Sequence, residues 1–152
     1  MILENVYTEE LVEIFDSNSE NYIYDRNASR RNFLNIVYVE DDTPLGYAVI
    51  YSGLDFCEQE ELPIKLDNIK ENSVYIWHMV TKKGYEGKGI GSSLIKYITE
   101  KFYDFDIYSI VDKKNKRSMG IHLNHGFIPM IEVKKKDKEK NVNYCLLKHE
   151  GK

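Results

Sequence analysis

Four glycines, Gly84, Gly87, Gly89 and Gly91, lie close together where an apolar segment gives way to a predicted helix. Because glycine has no Cβ, it lets the backbone bend sharply and come close to a ligand. The first amides of the following helix have no intrahelical partner and carry the positive end of the helix dipole. Such amides bind phosphate, so the segment predicts a pyrophosphate site. The alternative interpretation is a flexible turn without a ligand.

The spacing of these glycines excludes two common phosphate-binding turns. A P-loop has two glycines separated by four residues and followed by Lys and then Ser or Thr. Here Ser92 follows Gly91 with no lysine between them. A dinucleotide-binding fingerprint needs three glycines at fixed spacing in an early strand-helix-strand unit. The glycines do not give that spacing, and the hairpins predicted around them do not belong to that fold.

The turn must be positioned by the elements on either side of it. Ser73–Thr81 is the strongest predicted strand, and its run of large apolar residues is typical of a central strand covered on both faces. After the turn, Ile90, Leu94, Ile98 and Phe102 recur at steps of four, which predicts a helix with one apolar face. The turn therefore joins a buried strand to an amphipathic helix.

Further elements are predicted on both sides of this unit from apolar periodicity and turn residues. They are helices over Glu9–Phe15 and Asn27–Leu34, a hairpin of Ile36–Val39 with Leu45–Tyr51, a strand over Asp106–Val111, a helix over Asn115–Asn124 that stops at Gly126, and a hairpin of Phe127–Lys135 with Val142–Lys148. The basic stretch Lys134–Lys140 is interpreted as a solvated hairpin tip.

The order of these elements predicts the fold. A strand-helix-strand unit demands a parallel pair of strands with a right-handed crossover, whereas hairpins demand antiparallel pairs. We therefore predict one domain over residues 1–152 with a mixed α/β (α+β) fold. It consists of a mostly antiparallel twisted sheet of roughly six to seven strands with about four helices on its faces.

The composition is that of an ordinary globular domain. Its 152 residues carry a formal net charge of -4, which gives the chain no global attraction to nucleic acid. No segment is apolar over the length that spans a membrane, and Glu4 comes too early for a signal peptide. Cys57 and Cys145 have neither metal-ligand spacing nor the pattern of a disulfide framework. We therefore expect a cytoplasmic protein without a metal and without nucleic-acid or membrane partners.

Two segments resemble signatures of the GNAT N-acetyltransferase superfamily. The run Met79–Gly91 is similar to the family's acetyl-coenzyme A motif, (Arg or Gln)-x-x-Gly-x-(Gly or Ala) after the fourth strand, and Gly89 and Gly91 match its glycines. Asn115, Ser118 and the pair Gly126-Phe127 resemble the family's downstream Asn-x-x-(Ser or Ala) and Gly-Phe signature. The resemblance covers the chain from Ile36 onward.

The resemblance implies acetyl-coenzyme A as the acyl donor and direct attack of an amine on its thioester. Main-chain groups at Met79 and Thr81 would hold the pantetheine arm and the acetyl carbonyl, and an N–H there would stabilise the oxyanion. Asn115 would hydrogen-bond the pantetheine amides, and a helix N-cap is its alternative role. The cofactor-binding residues implied in this way are Met79, Val80, Thr81, Glu86, Gly87, Lys88, Gly89, Ile90, Gly91, Ser92, Asn115 and Ser118.

Two catalytic candidates also follow from the resemblance. The family's usual acid is a tyrosine five residues before the Phe of Gly-Phe, and His122 stands there, as in the phosphinothricin-type branch. Histidine titrates near neutrality and can protonate the leaving thiolate. The alternative is a helix histidine that packs or caps. Tyr75 stands where some members carry a glutamate base, and since tyrosine is a poor base at neutral pH we expect it to line the pocket.

One residue of the glycine turn departs from the family pattern. Glu86 stands where the motif has Arg or Gln, and a carboxylate beside a pyrophosphate is unfavourable by like-charge repulsion. If the backbone amides do most of the binding, this side chain points to solvent. Lys82, Lys83 and Lys88 are candidates to restore positive potential.

We therefore expect an N-acetyltransferase that moves an acetyl group from acetyl-coenzyme A to a primary amine of a small molecule or amino acid. The alternative is a non-catalytic module of the same fold that senses an acyl-coenzyme A, motivated by Glu86 and by the missing tyrosine. The acidic stretch at 55–67 is either an attractor of a cationic amine or a solvated loop. The C-terminal hairpin offers an edge for a homodimer.

Overall fold

The computed structural model describes residues 1–4, 34–52, 69–137 and 140–152. In these ranges the strands form one sheet in the order β1-β2-β3-β4-β5-β7-β6. The strands are β1 (Ile2–Glu4), β2 (Leu34–Glu40), β3 (Thr43–Ser52), β4 (Ser73–Thr81), β5 (Asp106–Asp112), β6 (Ile128–Asp137) and β7 (Lys140–His149), and the helices are α1 (Ile90–Lys101) and α2 (Lys116–Asn124). The predicted mixed and mostly antiparallel sheet is confirmed.

Two compact units are distinguished by their internal contacts. The first consists of Met1–Ile50 with His78–Leu94, and the second of Tyr51–Trp77 with Ile95–Lys152. Strand β4 and helix α1 each contribute residues to both units. The organisation as one domain stays a prediction.

In the first unit, β2 pairs antiparallel with both β1 and β3. The turn between β2 and β3 is the pair Asp41 and Asp42, whose φ angles are 51° and 60°. Two positive φ angles are the conformation of a type I′ turn, whose twist matches that of the flanking strands. The hairpin predicted here is confirmed, and β3 is buried continuously from Leu45 to Ile50.

In the second unit, β5 pairs with β4 on one side and with β7 on the other. The pairing of β4 with β5 is parallel, from Ser73 opposite Asp106 to Ile76 opposite Ser109. It is the parallel pair that the strand-helix-strand order predicts. β7 runs antiparallel to both β5 and β6. A buried apolar cluster in this unit consists of Ile69, Tyr75, Tyr108, Val133 and Leu146.

Both helices occupy predicted positions. In α1, the residues Ile90, Leu94, Ile95 and Ile98 are at most 3% exposed, and their spacing is that of one helical face. Because only a helix brings these residues to one face, their burial together stabilises a helix in this segment. Helix α2 is followed by Gly126, with a φ of 85°, as the sequence predicts for a helix end.

Three details differ from the sequence predictions. Leu34 is not the end of a helix but the first residue of β2, where it pairs with Ile50. The sequence does not predict β1, because three residues are too few for a period; pairing with β2 places it in the sheet. The stretch Lys134–Lys140 is not only a hairpin tip, because β6 continues to Asp137.

The described residues contain two helices rather than about four. The predicted helix over Glu9–Phe15, the rest of the one over Asn27–Leu34, the acidic stretch at 55–67 and Cys57 lie outside the described residues. Neither described helix has the length and apolar character of a membrane-spanning segment.

Candidate active site

The predicted site residues divide between the two units. One group surrounds the glycine turn in the first unit, and the other lies on β4 and α2 in the second. The first group is Met79, Val80, Thr81, Glu86, Gly87, Lys88, Gly89, Ile90, Gly91 and Ser92, and the second is Tyr75, Asn115, Ser118 and His122.

Gly46 on β3 lies close to the end of β4 and the start of α1. A Cβ on Gly46 would stand 2.6 Å from Cγ2 of Ile90 and 3.2 Å from the carbonyl oxygen of Val80. Real Cβ atoms essentially never come within 3.0 Å of another heavy atom, so only glycine fits here without movement. The backbone N–H of Lys82 donates to the carbonyl of Leu45 at 2.8 Å. These contacts fix the point at which the glycine turn leaves β4.

The glycine turn uses a backbone conformation that other residues rarely adopt. The φ angle is 92° at Gly84, 77° at Gly87 and 82° at Gly89. A Cβ added at any of the three would find no heavy atom within 4 Å beyond its chain neighbours. Helix α1 then begins at Ile90, and the N–H of Ser93 donates to the carbonyl of Gly89 at 2.9 Å. The turn therefore leaves open space directly before a helix start, as phosphate binding requires.

Glu86, the residue that departs from the family pattern, is engaged inside the turn. Its Oε2 accepts a hydrogen bond from the backbone N–H of Gly84 at 2.8 Å. A carboxylate that accepts an amide N–H makes a stronger bond than a neutral acceptor does. The side chain therefore braces the first bend of the turn.

Two lysines lie over the ring of Tyr85 in the middle of this segment. The Nζ of Lys82 is 5.4 Å from the ring centroid and the Nζ of Lys88 is 5.2 Å from it. Both distances are within the range of a cation–π interaction. Tyr85 and Lys88 also line a cleft of about 260 Å³, together with Glu40 and Asp41. Among the residues that the structure describes, neither lysine forms an ion pair.

These residues fit the diphosphate of coenzyme A. The positive φ angles and the empty space at Gly87 and Gly89 let a phosphate approach the backbone. Lys82 and Lys88 supply positive charge that no described carboxylate neutralises. Glu86 is the one acidic side chain in the turn itself, and its carboxylate is bonded to the N–H of Gly84.

In the second unit, Asn115 is the N-cap of α2. Its Oδ1 accepts a hydrogen bond from the backbone N–H of Ser118 at 3.1 Å. This bond satisfies one of the amides that every helix start leaves unpaired. The capping role offered as an alternative for Asn115 is confirmed. Contacts of Asn115 and Ser118 with pantetheine stay a prediction.

His122 is only 2% exposed, and both of its ring nitrogens have protein partners. Nδ1 lies 2.7 Å from the carbonyl oxygen of Ser118, and Nε2 lies 2.9 Å from Oγ of Ser109. Because a carbonyl oxygen only accepts, Nδ1 carries the proton, and Nε2 of the neutral ring accepts from the Ser109 hydroxyl. Burial lowers the pKa of His122, an effect opposed by the Ser118 hydrogen bond and reinforced by the charge of His125. The neutral ring therefore connects α2 to β5.

The His122 ring also packs edge-on against Phe127, with 5.0 Å between ring centroids and 80° between ring planes. This is the favourable T-shaped arrangement of aromatic rings. The contacts are those of a packed histidine, the alternative interpretation of this residue. Its role as the acid for the leaving thiolate stays a prediction, and it requires Nε2, which here accepts from the Ser109 hydroxyl, to be protonated first.

Tyr75 is 3% exposed and belongs to the buried apolar cluster of the second unit. Its neighbour across the parallel pair of strands is Tyr108. These contacts place Tyr75 in a core. Its assignment as a catalytic or pocket-lining residue stays a prediction.

A second cavity lies in the second unit, between α2 and the C-terminal hairpin. Its volume is about 620 Å³, and its apolar lining includes Met119, Leu123, Met130 and Ile131. Cys145 also lines it, and burial raises the pKa of the Cys145 thiol. A thiol that stays protonated is a poor nucleophile, so this cysteine does not extend the site chemically.

Three residues at these sites are not found by the sequence reasoning. Gly46 carries no signal, because its need for a small side chain arises from β4 and α1, which are distant in sequence. Tyr85 has a recognisable sequence signal, since an aromatic residue with a lysine three positions away on each side is suited to cation–π contacts. Ser109 also has a sequence signal, because a hydroxyl in an apolar strand needs a hydrogen-bond partner when it is buried.

Comparisons with known proteins agree with this architecture. The model of the acetyltransferase (GNAT) family matches residues 2–127, a range that includes the glycine turn and α2. No curated protein matches the chain in sequence.

Solved structures of similar fold share little sequence with the chain. A candidate phosphinothricin N-acetyltransferase has 13% identity and a TM-score of 0.72, covering 100% of this chain and 99% of its own. Ribosomal-protein-alanine N-acetyltransferase from Brucella melitensis has 17% identity and a TM-score of 0.71, covering 96% and 98%. Ribosomal-protein-S18-alanine N-acetyltransferase from Escherichia coli has 9% identity and a TM-score of 0.70, covering 98% and 93%.

At these identities the structural likeness concerns the fold alone. The family model adds a match in sequence that runs over most of the chain and through the predicted coenzyme A motif. The chain belongs to the acetyltransferase (GNAT) family.

Proposed function

We propose that this protein transfers the acetyl group of acetyl-coenzyme A to a primary amine of a small molecule or amino acid. The observation that carries the proposal is the open glycine turn before α1, with Gly87 and Gly89 at positive φ. It lies where the family carries its coenzyme A motif, and Lys82 and Lys88 give it positive charge without an ion-pair partner among the described residues.

The reaction needs few protein groups. The nitrogen of the neutral amine attacks the thioester carbon, the C–S bond breaks, and the thiolate of coenzyme A takes up a proton while the new amide nitrogen loses one. A backbone N–H at Met79 or Thr81, at the end of β4, would donate to the oxyanion that forms during the attack. The position of this strand end is supported by the bond between Lys82 and Leu45.

The acceptor is the less constrained half of the proposal. A neighbour of similar fold is named for phosphinothricin and two for ribosomal-protein alanine, so the fold is compatible with both small-molecule and protein acceptors. The histidine at position 122, in place of the usual tyrosine, supports the small-molecule branch. A panel of amino acids, polyamines and peptides with a free N-terminus would separate these classes by the release of free coenzyme A.

The donor half is tested by titrating the protein with coenzyme A and acetyl-coenzyme A calorimetrically. We expect saturable binding, and the absence of heat and of a thermal shift at millimolar ligand would contradict the proposal. Gly89→Glu and Gly89→Gln impose the same backbone strain and nearly the same bulk. We expect the Glu variant to abolish binding and the Gln variant to weaken it less, because only the first adds negative charge. Binding retained by Gly89→Glu would place the diphosphate elsewhere.

A second candidate function is a sensor that binds an acyl-coenzyme A without turnover. It is favoured by one observation, the enclosure of His122 with both ring nitrogens bonded to Ser118 and Ser109. Binding of acetyl-coenzyme A without thiol release across the acceptor panel would support the sensor. Release with any acceptor would exclude it.

A homodimer through the C-terminal hairpin stays a prediction. β6 is the last strand in the sheet order, and Ile128, Met130 and Ile131 on it are 59%, 51% and 39% exposed. Exposed apolar residues on an edge strand favour association. Sedimentation equilibrium of the wild type and of Met130→Lys would test it, and a monomer at all concentrations would contradict it.

A further inference from the structure

The ring of Tyr85 is the common neighbour of two cations in the glycine turn. Lys82 and Lys88 stand three residues before and after it in sequence, and their Nζ atoms lie 5.4 Å and 5.2 Å from its centroid. The negative face of an aromatic ring attracts ammonium groups. One side chain therefore attracts two positive charges that repel each other.

Within the described ranges, no carboxylate lies at ion-pair distance from these charges. Among the described residues, Lys82 and Lys88 have no ion-pair partner, although Glu40 and Asp41 line the same cleft as Lys88. The carboxylate of Glu86 is bonded to the N–H of Gly84. Two ammonium groups beside one ring, without an ion-pair partner among the described residues, favour an anion over a cation as the ligand of this turn.

Restricting a lysine side chain before binding reduces the conformational entropy that is lost when the ligand binds. A lysine side chain has many rotamers, and immobilising it on association opposes affinity. A ring that already restricts both side chains removes part of that loss before the ligand arrives. This matters in a turn where Glu86 has replaced the arginine or glutamine of the family motif, so that positive charge must come from elsewhere.

We propose that Tyr85 is a positioning residue for coenzyme A, whose ring holds Lys82 and Lys88 ready for the diphosphate in place of the missing arginine. The inference rests on the proposed function. The ring acts through the lysines and does not itself need to touch the ligand.

The test compares the affinity of coenzyme A for the wild type, Tyr85→Leu and Tyr85→Phe by isothermal titration calorimetry. Tyr85→Leu removes the ring, and we expect the Kd to rise about five- to tenfold. Tyr85→Phe keeps a cation-binding face and should restore a Kd within about twofold of the wild type. Thermal melting of both variants should remain close to that of the wild type, because Tyr85 is only partly buried. A Kd unchanged by Tyr85→Leu would overturn the inference.

A double-mutant comparison separates action through the lysines from direct contact. In a protein carrying Lys82→Met and Lys88→Met, Tyr85→Leu should leave the already weakened Kd unchanged, because the ring then has no cation to position. The same loss in both backgrounds would show a direct contact of the ring with the ligand and would overturn the positioning role.

The outcomes for the two proposals are distinguishable. Failure of the wild type to bind coenzyme A removes the proposed function and this inference together. Binding by the wild type that is insensitive to Tyr85→Leu removes only the inference.

Discussion

The carboxylate of Glu86 accepts a hydrogen bond from the backbone N–H of Gly84 at 2.8 Å. The sequence marks Glu86 as the residue least suited to a diphosphate site, since it places a negative charge where the family has Arg or Gln. In the structure this carboxylate braces a bend whose φ angle is 92° at Gly84. The side chain thus has two opposing effects, one on the shape of the turn and one on its potential.

Glu86→Gln separates these effects. The amide oxygen of Gln can still accept from the N–H of Gly84, so the bend is kept while the negative charge is removed. We expect the Kd for coenzyme A to fall by about two- to fivefold at low salt, an advantage that shrinks as salt screens the charge. Glu86→Ala is the control, because it removes the charge and the brace together. An Ala variant that binds as tightly as the Gln variant would mean that the brace has no role.

Gly46→Ala should destabilise the protein. The added methyl would stand 2.6 Å from Cγ2 of Ile90, so β3 or the start of α1 must move. Overpacking of this kind costs about 1–3 kcal/mol, and the shift at Ile90 should also weaken coenzyme A binding. Urea unfolding and calorimetric titration would measure the two effects.

Gly120→Ala on α2 is the matched control for that substitution. No heavy atom lies within 4 Å of a Cβ at Gly120, and the residue is in a helix. We expect a gain in the free energy of unfolding of about 0.5–1 kcal/mol, because alanine favours the helix. Equal effects of the two alanines would contradict the close approach at Gly46.

Two substitutions at Asn115 distinguish helix capping from ligand binding. Asn115→Ala removes the bond to the N–H of Ser118 and should lower the free energy of unfolding by about 1 kcal/mol. Asn115→Asp keeps a good cap but loses the amide donor. We expect it to melt like the wild type and to bind coenzyme A more weakly, as a contact with pantetheine requires. Wild-type affinity in Asn115→Asp would leave Asn115 as a cap alone.

The lowered pKa of His122 makes the stability depend on pH. The unfolded chain takes up a proton at the ordinary histidine pKa of about 6.5, whereas the folded protein resists it. The stabilisation that comes from the neutral His122 ring is therefore complete above about pH 6.5. Below that pH the free energy of unfolding falls by up to about 1.4 kcal/mol per pH unit. His122→Gln should be less stable at about pH 7.5 and should show a shallower fall toward about pH 5.5. His149, whose pKa burial also lowers, keeps a residual slope in this variant.

The same residue carries the prediction about turnover. If the His122 ring gives a proton to the thiolate, His122→Phe lowers kcat by about a hundredfold and leaves the Kd for coenzyme A nearly unchanged. Unaltered kcat in a folded His122→Phe protein would remove the ring from the mechanism. The bonds to Ser118 and Ser109 would then be its whole role.

Periodicity and glycine spacing predict much of the described fold. The apolar run Ser73–Thr81 gives a strand with the same bounds in the structure, and the steps of four from Ile90 give α1. These predictions hold because the spacing of apolar residues, consecutive in the strand and on one face of the helix, is a local property of the chain. β1 escapes prediction because its three residues become a strand only through pairing with β2.

The sequence alone predicted the coenzyme A motif and determined the order of the described elements around it, because both depend on residues close together along the chain. Only the tertiary structure decided how His122 is enclosed, since its partner Ser109 lies on another element. It also decided that position 46 must be glycine, because the atoms that exclude a Cβ come from β4 and α1. The spacing of residues along a segment determines which backbone conformation the segment can adopt. Burial and close contact are set by residues distant in sequence that folding brings together.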